Sequence, residues 1–253
     1  MKSKNRKFLI LTGILMIFAF AACAPAAEPE APVDEVIEAT NESPPVNTEV
    51  LGDCYNPFNP VIEGRTWTYR IQTSDSTDEY SITYGDVSDS SFTSTLMFPD
   101  VSSAIQWTCS PEGLLSSDFA SLNITQLDNV EIETIDVSGV IFPKAENWQV
   151  GYSWDTAFDV NISVSIEGNT IESQGTITMS NTIGAIEPVS VPAGDYNEAY
   201  RVDTSGNFIM SVFGVSTEIP IIYSNWYVEN VGMVKSSSVD QEFGYTTELI
   251  SFE

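Results

Sequence analysis

From Arg65 onward, apolar and polar residues alternate with a period of two, the spacing of strands that bury one face and wet the other. Trp67, Tyr69 and Ile71 alternate with Thr66, Thr68 and Arg70. Tyr80, Ile82 and Tyr84 alternate with Ser81 and Thr83, and Ile105 and Trp107 lead to Cys109. Half-buried antiparallel strands carry this pattern. It is strictest from Phe158 to Ile166, followed by Glu167-Gly168-Asn169-Thr170 and a second run from Ile171 to Met179. A two-residue Gly168-Asn169 loop predicts a hairpin. It would pair Ile166 with Ile171, Val164 with Ser173, Ile162 with Gly175, Val160 with Ile177 and Phe158 with Met179. One face is then apolar or small. The other carries Asp159, Asn161, Ser163, Ser165, Glu172, Gln174, Thr176 and Thr178. Further strands are predicted at 183–191, 196–204, 208–215, 221–228, 233–239 and 245–252, with Pro192-Ala193-Gly194 presetting a turn. The stretch from Leu114 to Val130 fits a short helix or a long loop.

These runs amount to about twelve strands with no βαβ alternation, which predicts an all-β class. So many antiparallel strands form a single curled sheet, half-barrel or sandwich-like, because a wide twisted sheet curls, closes or folds over. Phe208, Met210 and Val212 alternate with Ile209, Phe213 and Val215, so this strand is apolar on both faces. That suits a strand covered on both sides or one lining an apolar groove. Glycine three residues before tryptophan occurs at Gly64–Trp67 and again at Gly151–Trp154. We read this as a reused strand-start device in preference to two similar sheet halves.

The N-terminus has a different texture. Residues 1–7 are basic, Phe8 to Ala22 are almost entirely apolar, and small residues lead into Cys23. This is the layout of a cleaved export signal, and the apolar run of about 15 residues is short of the ~20 needed to span a bilayer. Phe20-Ala21-Ala22-Cys23 resembles the lipobox of bacterial lipoproteins, although Phe20 stands where Leu is usual. The resemblance implies a lipoprotein signal peptide at 1–22 and a lipidated Cys23 at the mature N-terminus. Residues 23–50 are rich in Pro, Ala, Glu and Asn without amphipathic period and read as a disordered tether. Its mean reach is on the order of 30 Å. The β-rich domain is expected at 51–253.

Composition narrows the function classes. Apolar residues make up 42% and charged residues 18% of the 253, enough to bury a core. There are 36 acidic and 9 basic side chains and no histidine. The missing histidine removes His-based triads, His general bases and His-ligated zinc sites. Without residues 1–22, only Arg65, Arg70, Lys144, Arg201 and Lys235 remain against all 36 acids, a formal charge of -31. Five scattered bases cannot neutralise a phosphate backbone, so nucleic acid is excluded as a partner.

With Cys23 taken by lipid, Cys54 and Cys109 are left. An oxidising compartment would pair them; otherwise they are two buried thiols. The bridge would close a loop of about 55 residues and stabilise the domain by roughly 3 to 4 kcal/mol in the chain-entropy view. No Cys-x-x-Cys points to redox chemistry.

The familiar nucleophile, phosphate-loop and zinc signatures are also missing. A carboxylate pair could still act on a glycoside. Asp75, Asp78, Glu79, Asp86 and Asp89 gather around one predicted hairpin as candidate Ca²⁺ oxygens, without EF-hand spacing. We read them as solvated turns, and expect neither a metal nor a cofactor. Trp67, Trp107, Trp148, Trp154 and Trp226 could line a pocket for a sugar or lipid, but read first as core.

Several short motifs together resemble a group of bacterial exported proteins and lipoproteins of unknown function. They are Gly-x-x-Trp-x-Tyr at Gly64–Tyr69, Cys109 with Gly113-Leu114, Gly-x-x-Trp at Gly151–Trp154, Val-Pro-Ala-Gly-x-Tyr at Val191–Tyr196, and Trp-Tyr-x-x-x-Val-Gly-x-Val-Lys at Trp226–Lys235. The resemblance implies a β-rich fold and carries over no catalytic residue. Curled sheets of this kind are also similar to the half-barrels of lipoprotein carriers, an analogy of fold alone.

The sequence is therefore expected to encode a lipid-anchored protein on the extracytoplasmic face of the cell membrane. It would be a non-catalytic binding or structural module, with a hydrophobic ligand or an envelope protein as its partner. The alternative is a surface carbohydrate-active hydrolase using a carboxylate pair. Intact-mass analysis of membrane-extracted protein should show a chain that begins at Cys23 and carries acyl chains; an unmodified, water-soluble chain would sink the anchor.

Overall fold

Alternation of this strength folds almost wholly into strands, and the computed structural model describes them over residues 52–116, 130–166, 169–212, 215–238 and 244–253. In chain order they are β1 (Thr66–Thr73), β2 (Thr77–Gly85), β3 (Ser91–Met97), β4 (Ser102–Ser110), β5 (Gly113–Leu115), β6 (Val130–Gly139), β7 (Phe142–Pro143), β8 (Ser153–Ile166), β9 (Asn169–Val191), β10 (Gly194–Val212), β11 (Val215–Val228), β12 (Gly232–Ser238) and β13 (Tyr245–Phe252). Short 3-10 turns occur at Gly52–Cys54 and Ala145–Asn147. The export signal, the tether, Cys23, residues 117–129, Gly168, Phe213 and Val239 lie outside the described residues.

Among the described residues, one sheet of thirteen strands runs in the order β6-β8-β9-β10-β11-β12-β13-β1-β2-β3-β4-β5-β7. It is not closed into a barrel. Its two edge strands are nevertheless consecutive in the chain, with only Val140 and Ile141 between them. Gly139 still pairs with Thr156 of β8, while the Ile141 amide donates to the Leu114 carbonyl of β5 at 2.8 Å. The Thr156 hydroxyl donates to the intervening Val140 carbonyl. Three Cα steps from Gly139 to Phe142 span at most about 11 Å, so the sheet must curl until the end of β6 and the start of β7 come together at this seam.

The expected curled antiparallel sheet is thus present, with three corrections of detail. The first concerns β3, β6 and the short β5 and β7, which the sequence pattern did not reveal; Leu114 and Leu115, expected at the start of a helix or loop, belong to β5. In β3 the consecutive residues Phe92, Thr93 and Ser94 are all buried, so no alternation exists to be read. In β6 a bulge between Thr134 and Asp136 breaks the period and leaves Ile135 exposed.

The second is strand length. The runs expected at 171–179 and 183–191 are one strand, β9, and those at 196–204 and 208–215 are largely one strand, β10. The apparent interruptions serve the sheet. Asn181 is buried and its Oδ1 accepts the Thr204 hydroxyl at 2.8 Å. At Gly206 an added Cβ would lie 1.9 Å from the Thr178 carbonyl, so the close approach of β9 requires glycine.

The third is the β8–β9 register, offset by two residues from the expected one. Val164 pairs with Ile171, Ile162 with Ser173, Val160 with Gly175, Phe158 with Ile177 and Thr156 with Met179. Ile166 pairs with Asn169, so the loop begins one residue earlier than Gly168-Asn169. Cross-strand bonds on the wet face accompany this offset: Ser180 donates to Asp155 at 2.7 Å, Thr176 to Asp159 at 2.8 Å and Ser163 to Glu172 at 2.7 Å. An even offset keeps every side chain on its expected face. The turn at Pro192-Ala193 is as expected, with Gly194 at a φ of 148°.

The curl is filled partly by the chain that precedes β1. Cys54, Asn56, Phe58, Asn59 and Val61 are buried, and Phe58 stacks on Trp148 with centroids 4.0 Å apart. Asn56 Nδ2 donates to the Pro143 carbonyl at 2.9 Å, and the Asn230 amide donates to that of Pro57 at 2.7 Å. Cys54 is disulfide-bonded to Cys109 of β4, which ties this segment to the sheet. Replacing both cysteines by alanine should lower unfolding free energy by about 3 to 4 kcal/mol, read as an earlier denaturation midpoint with unchanged far-UV dichroism.

Candidate functional site

The concave face is set by register. On the β6–β9 lobe one row is Ile132, Ile162 and Ser173, with the Val164–Ile171 pair beyond it. The next two are Thr134, Val160, Gly175, Met210 and Thr217, then Val137, Phe158, Ile177, Phe208 and Ile219. Thr156, Met179, Gly206 and Ile221 form the fourth. Below these the chemistry changes. Trp154, Asn181, Thr204 and Tyr223 make a fifth row, and Ile183, Val202, Asn225, Ser236, Thr247 and Ile71 a sixth.

Burial on this face is graded. Phe158, Val160, Ile162, Ile177, Met179 and Phe208 are sealed and form one apolar cluster. Val164, Met210 and Ile221 on the same face are only partly covered, and Ile219 is 38% exposed. Strand β11 pairs with β12 from Ser224 to Val228, so among the described residues its Val215–Tyr223 half has no ladder partner on that side, although the Ser238 hydroxyl donates to the Ile222 carbonyl at 3.0 Å. Pro220, opposite Asn207 of β10, sits in that half, the edge position in which a sheet tolerates proline.

Below the apolar rows lies a group of phenols: Tyr69, Tyr80, Tyr84, Tyr223, Tyr227 and Tyr245. Burial raises each phenol pKa, with Tyr223 pushed up to about 12 against the opposing hydrogen bond of Thr204. After burial, the phenols of Tyr223, Tyr245 and Tyr84 also raise Tyr227 electrostatically, although β12, β13 and β1 separate the strands of Tyr227 and Tyr84 in the sheet. Only a curled sheet brings them together. Tyr80, Tyr223 and Tyr245 are deep enough to be desolvated yet only half-buried, so solvent still reaches part of each ring. Tyr223 donates weakly to the Met179 sulfur at 3.6 Å, and the Tyr245 hydroxyl meets that of Ser236 at 3.3 Å.

The opposite face holds the ions. Arg201, Trp226, Lys235, Glu248, Arg70 and Glu79 are successive register partners across β10, β11, β12, β13, β1 and β2. Arg201 bonds Glu187 at 3.2 Å and Asp203 at 3.0 Å, and Arg70 bonds Glu79 at 3.2 Å. Trp226 Nε1 donates to Glu187 at 2.7 Å, and Lys235 lies 5.7 Å from the Trp226 ring centre. These groups are about a third exposed or more, so each pair contributes little alone, roughly 0 to 1 kcal/mol. The strand carboxylates Glu133, Asp155, Asp159, Glu172 and Glu218 share this wet face, by their pairing with its polar residues.

The sequence-derived candidates fare differently. Cys54 and Cys109 are bonded to each other, and Cys23 lies outside the described residues. The five acids considered for Ca²⁺ do not form one cluster. Asp75 lies in the β1–β2 turn, Asp78 stands just beyond it in β2 opposite Ile71 and accepts the Ser76 hydroxyl, and Glu79 pairs with Arg70. Asp86 and Asp89 lie at the other end of β2, in the turn to β3. Among the described residues, no group of three or more acidic or cysteine side chains is placed to hold a metal. Trp67, Trp107 and Trp148 are core; Trp154 and Trp226 are partly covered. Ile209 is 43% exposed, so the doubly apolar strand is not sealed on both sides. The phenol group was missed because each tyrosine, taken alone, looks like an ordinary inward strand residue.

Residues 66–246, from β1 into β13, match the DUF3108-like family. The chain belongs to that family. As a DUF3108-like protein it also has the fold of a solved Bacteroides fragilis protein described as exported and YmcC-like, at a TM-score of 0.50 and 16% identity. That match covers 78% of this chain and 98% of the other. A Parabacteroides distasonis protein described as a lipoprotein is similar at a TM-score of 0.49 and 16% identity, with the same coverage. The hypothetical lipoprotein YmcC of Escherichia coli is similar at 0.32 and 9%, over 73% of this chain and 83% of its own. No curated protein matches by sequence.

The raised phenols fix a pH dependence. A tyrosine whose folded pKa exceeds its unfolded value of about 10 stabilises the fold fully below pH 10. That stability is lost as pH rises from 10 through the folded value, about 12 for Tyr223. Absorbance titration at 295 nm should show fewer than all ten tyrosines ionising before the dichroism signal of the fold collapses.

Proposed function

We propose that this DUF3108-like protein is an exported lipoprotein, anchored to the membrane through Cys23, whose curled sheet binds a hydrophobic ligand without catalysis. The observation that carries the reading is the graded inner face. Val164, Met210, Ile219 and Ile221 continue the face of Val160, Ile177 and Phe208 but remain open to water. Leaving apolar surface wet forfeits about 25 cal/mol per Å², and a concave apolar face rimmed by polar groups is the usual form of a small-molecule site.

Export is supported by the basic, apolar and small-residue segments before Cys23 and by a bridge suited to an oxidising compartment. The structurally similar Bacteroides fragilis protein is itself described as exported. The carboxylate hydrolase is the weaker reading, because the strand carboxylates named above stand on the outer face and not across the concavity.

Native mass spectrometry tests the proposal on the mature chain from residue 23, exported with Cys23→Ser so that it stays free of acyl chains. A co-purifying apolar mass is the expected result. A clean apo mass that takes up no lipid on incubation would turn the reading toward a structural or partner-binding module.

A further inference from the structure

We infer that the ligand of the concave face is an uncharged amphipathic molecule, a single acyl or prenyl chain with a neutral oxygen-bearing head. This rests on the reading of that face as a binding surface and goes further by assigning chemistry to its two zones.

The first observation is the absence of charge. The six register rows from Ile132–Ile162–Ser173 down to Ile183–Val202–Asn225–Ser236–Thr247–Ile71 contain no charged side chain, and the sixth meets one only at its far end, where Asp78 opposite Ile71 is exposed to water. An ionised head taken into this face would be desolvated with no partner, and an unpaired buried charge is among the costliest groups to bury. The formal charge of the whole chain, -27, adds long-range repulsion against anions.

The second observation is that the rows divide by chemistry at Tyr223. On one side Met179, Ile221, Phe208 and Met210 offer aliphatic and ring surface suited to a chain. On the other, Thr204, Ser236 and Thr247 bring hydroxyls to the same face, with Tyr245 beyond. Tyr223 joins the zones: its hydroxyl reaches the Met179 sulfur at 3.6 Å and lies beside Thr204. A thioether is a weak acceptor, so this phenol is well placed for a better partner on a ligand. Thr204, Ser236 and Thr247 already have partners in Asn181, Tyr245 and Tyr80, so the groups left to meet a head are the half-buried phenols of Tyr223 and Tyr245, which a hydrocarbon would only cover and hydroxyl or ester oxygens would satisfy.

The test compares three probes that share one chain and differ in head charge: monooleoylglycerol, oleate and oleylamine. Binding to the mature Cys23→Ser chain at pH 7.5 is followed by tryptophan fluorescence and native mass spectrometry. Monooleoylglycerol should bind at least ten-fold more tightly than either charged probe. Equal or tighter binding of oleate or oleylamine would overturn the inference while leaving a hydrophobic-ligand function standing. Failure of all three would overturn both. Maltose binding as tightly as monooleoylglycerol would also overturn it, because the hydroxyl zone would then suffice without a chain. Tyr223→Phe keeps the ring and removes the hydroxyl; it should weaken monooleoylglycerol about five-fold with oleate little changed. Unchanged affinity for monooleoylglycerol would remove the head-group assignment.

Discussion

A sheet whose two edge strands are joined by two residues cannot lie open. The link Val140–Ile141 takes the chain from β6 beside β8 to β7 beside β5, and its backbone is bonded to both sides. Everything else follows from meeting that constraint. The twist natural to antiparallel strands supplies curvature, the bulges at Thr134/Asp136, Thr68/Tyr69 and Trp226/Tyr227 add to it locally, and the interior must be filled. The segment before β1 does part of the filling, with Phe58 on Trp148 and Cys54 bonded to β4.

Short motifs that look independent in the sequence meet in this interior. Trp67 Nε1 donates to the Val231 carbonyl at 2.7 Å, and the Tyr69 hydroxyl donates to that of Met233 at 3.0 Å. Two side chains of the Gly64–Tyr69 stretch are therefore seated on the backbone between Trp226 and Lys235. Those two residues are themselves register partners, with the lysine over the indole. The β9–β10 turn joins the same place, where the Ala193 amide donates to the Leu249 carbonyl at 3.1 Å. Buried N–H and O–H groups of tryptophan and tyrosine need acceptors, and here the acceptors are backbone carbonyls far away in sequence.

The same curl separates chemistry by face. Most acids and bases go outside, where water and cross-strand partners satisfy them, as in the Arg201–Glu187–Trp226 and Arg70–Glu79 contacts, whereas Arg65 lies over the Trp67 and Phe252 rings with one guanidinium nitrogen buried. Neutral hydroxyls and apolar groups go inside. A strongly acidic protein thus has a concave face whose six register rows are uncharged as far as the exposed Asp78 beyond Ile71, and the proposed ligand chemistry derives from that separation.

Much of this architecture is legible in the amino-acid sequence. Period-two alternation is a local property, so strand type and the inward set Phe158, Val160, Ile162, Ile177 and Met179 can be read directly. Even the β8–β9 register misses by two residues, and because two is the strand period, no face assignment changes. The buried run Phe92-Thr93-Ser94 hides β3, and a bulge hides β6, because both abolish alternation. Cys54 and Cys109 are legible as a pair by count. By itself, then, the sequence determined the class of fold, the charge placed on the surface and the side each strand residue takes. Tertiary structure alone decided which strands are neighbours, that β6 and β7 meet at a seam, and that phenols from β1, β2, β11 and β13 share one interior. Those outcomes depend on contacts between residues distant in the chain, and local periodicity carries no information about them.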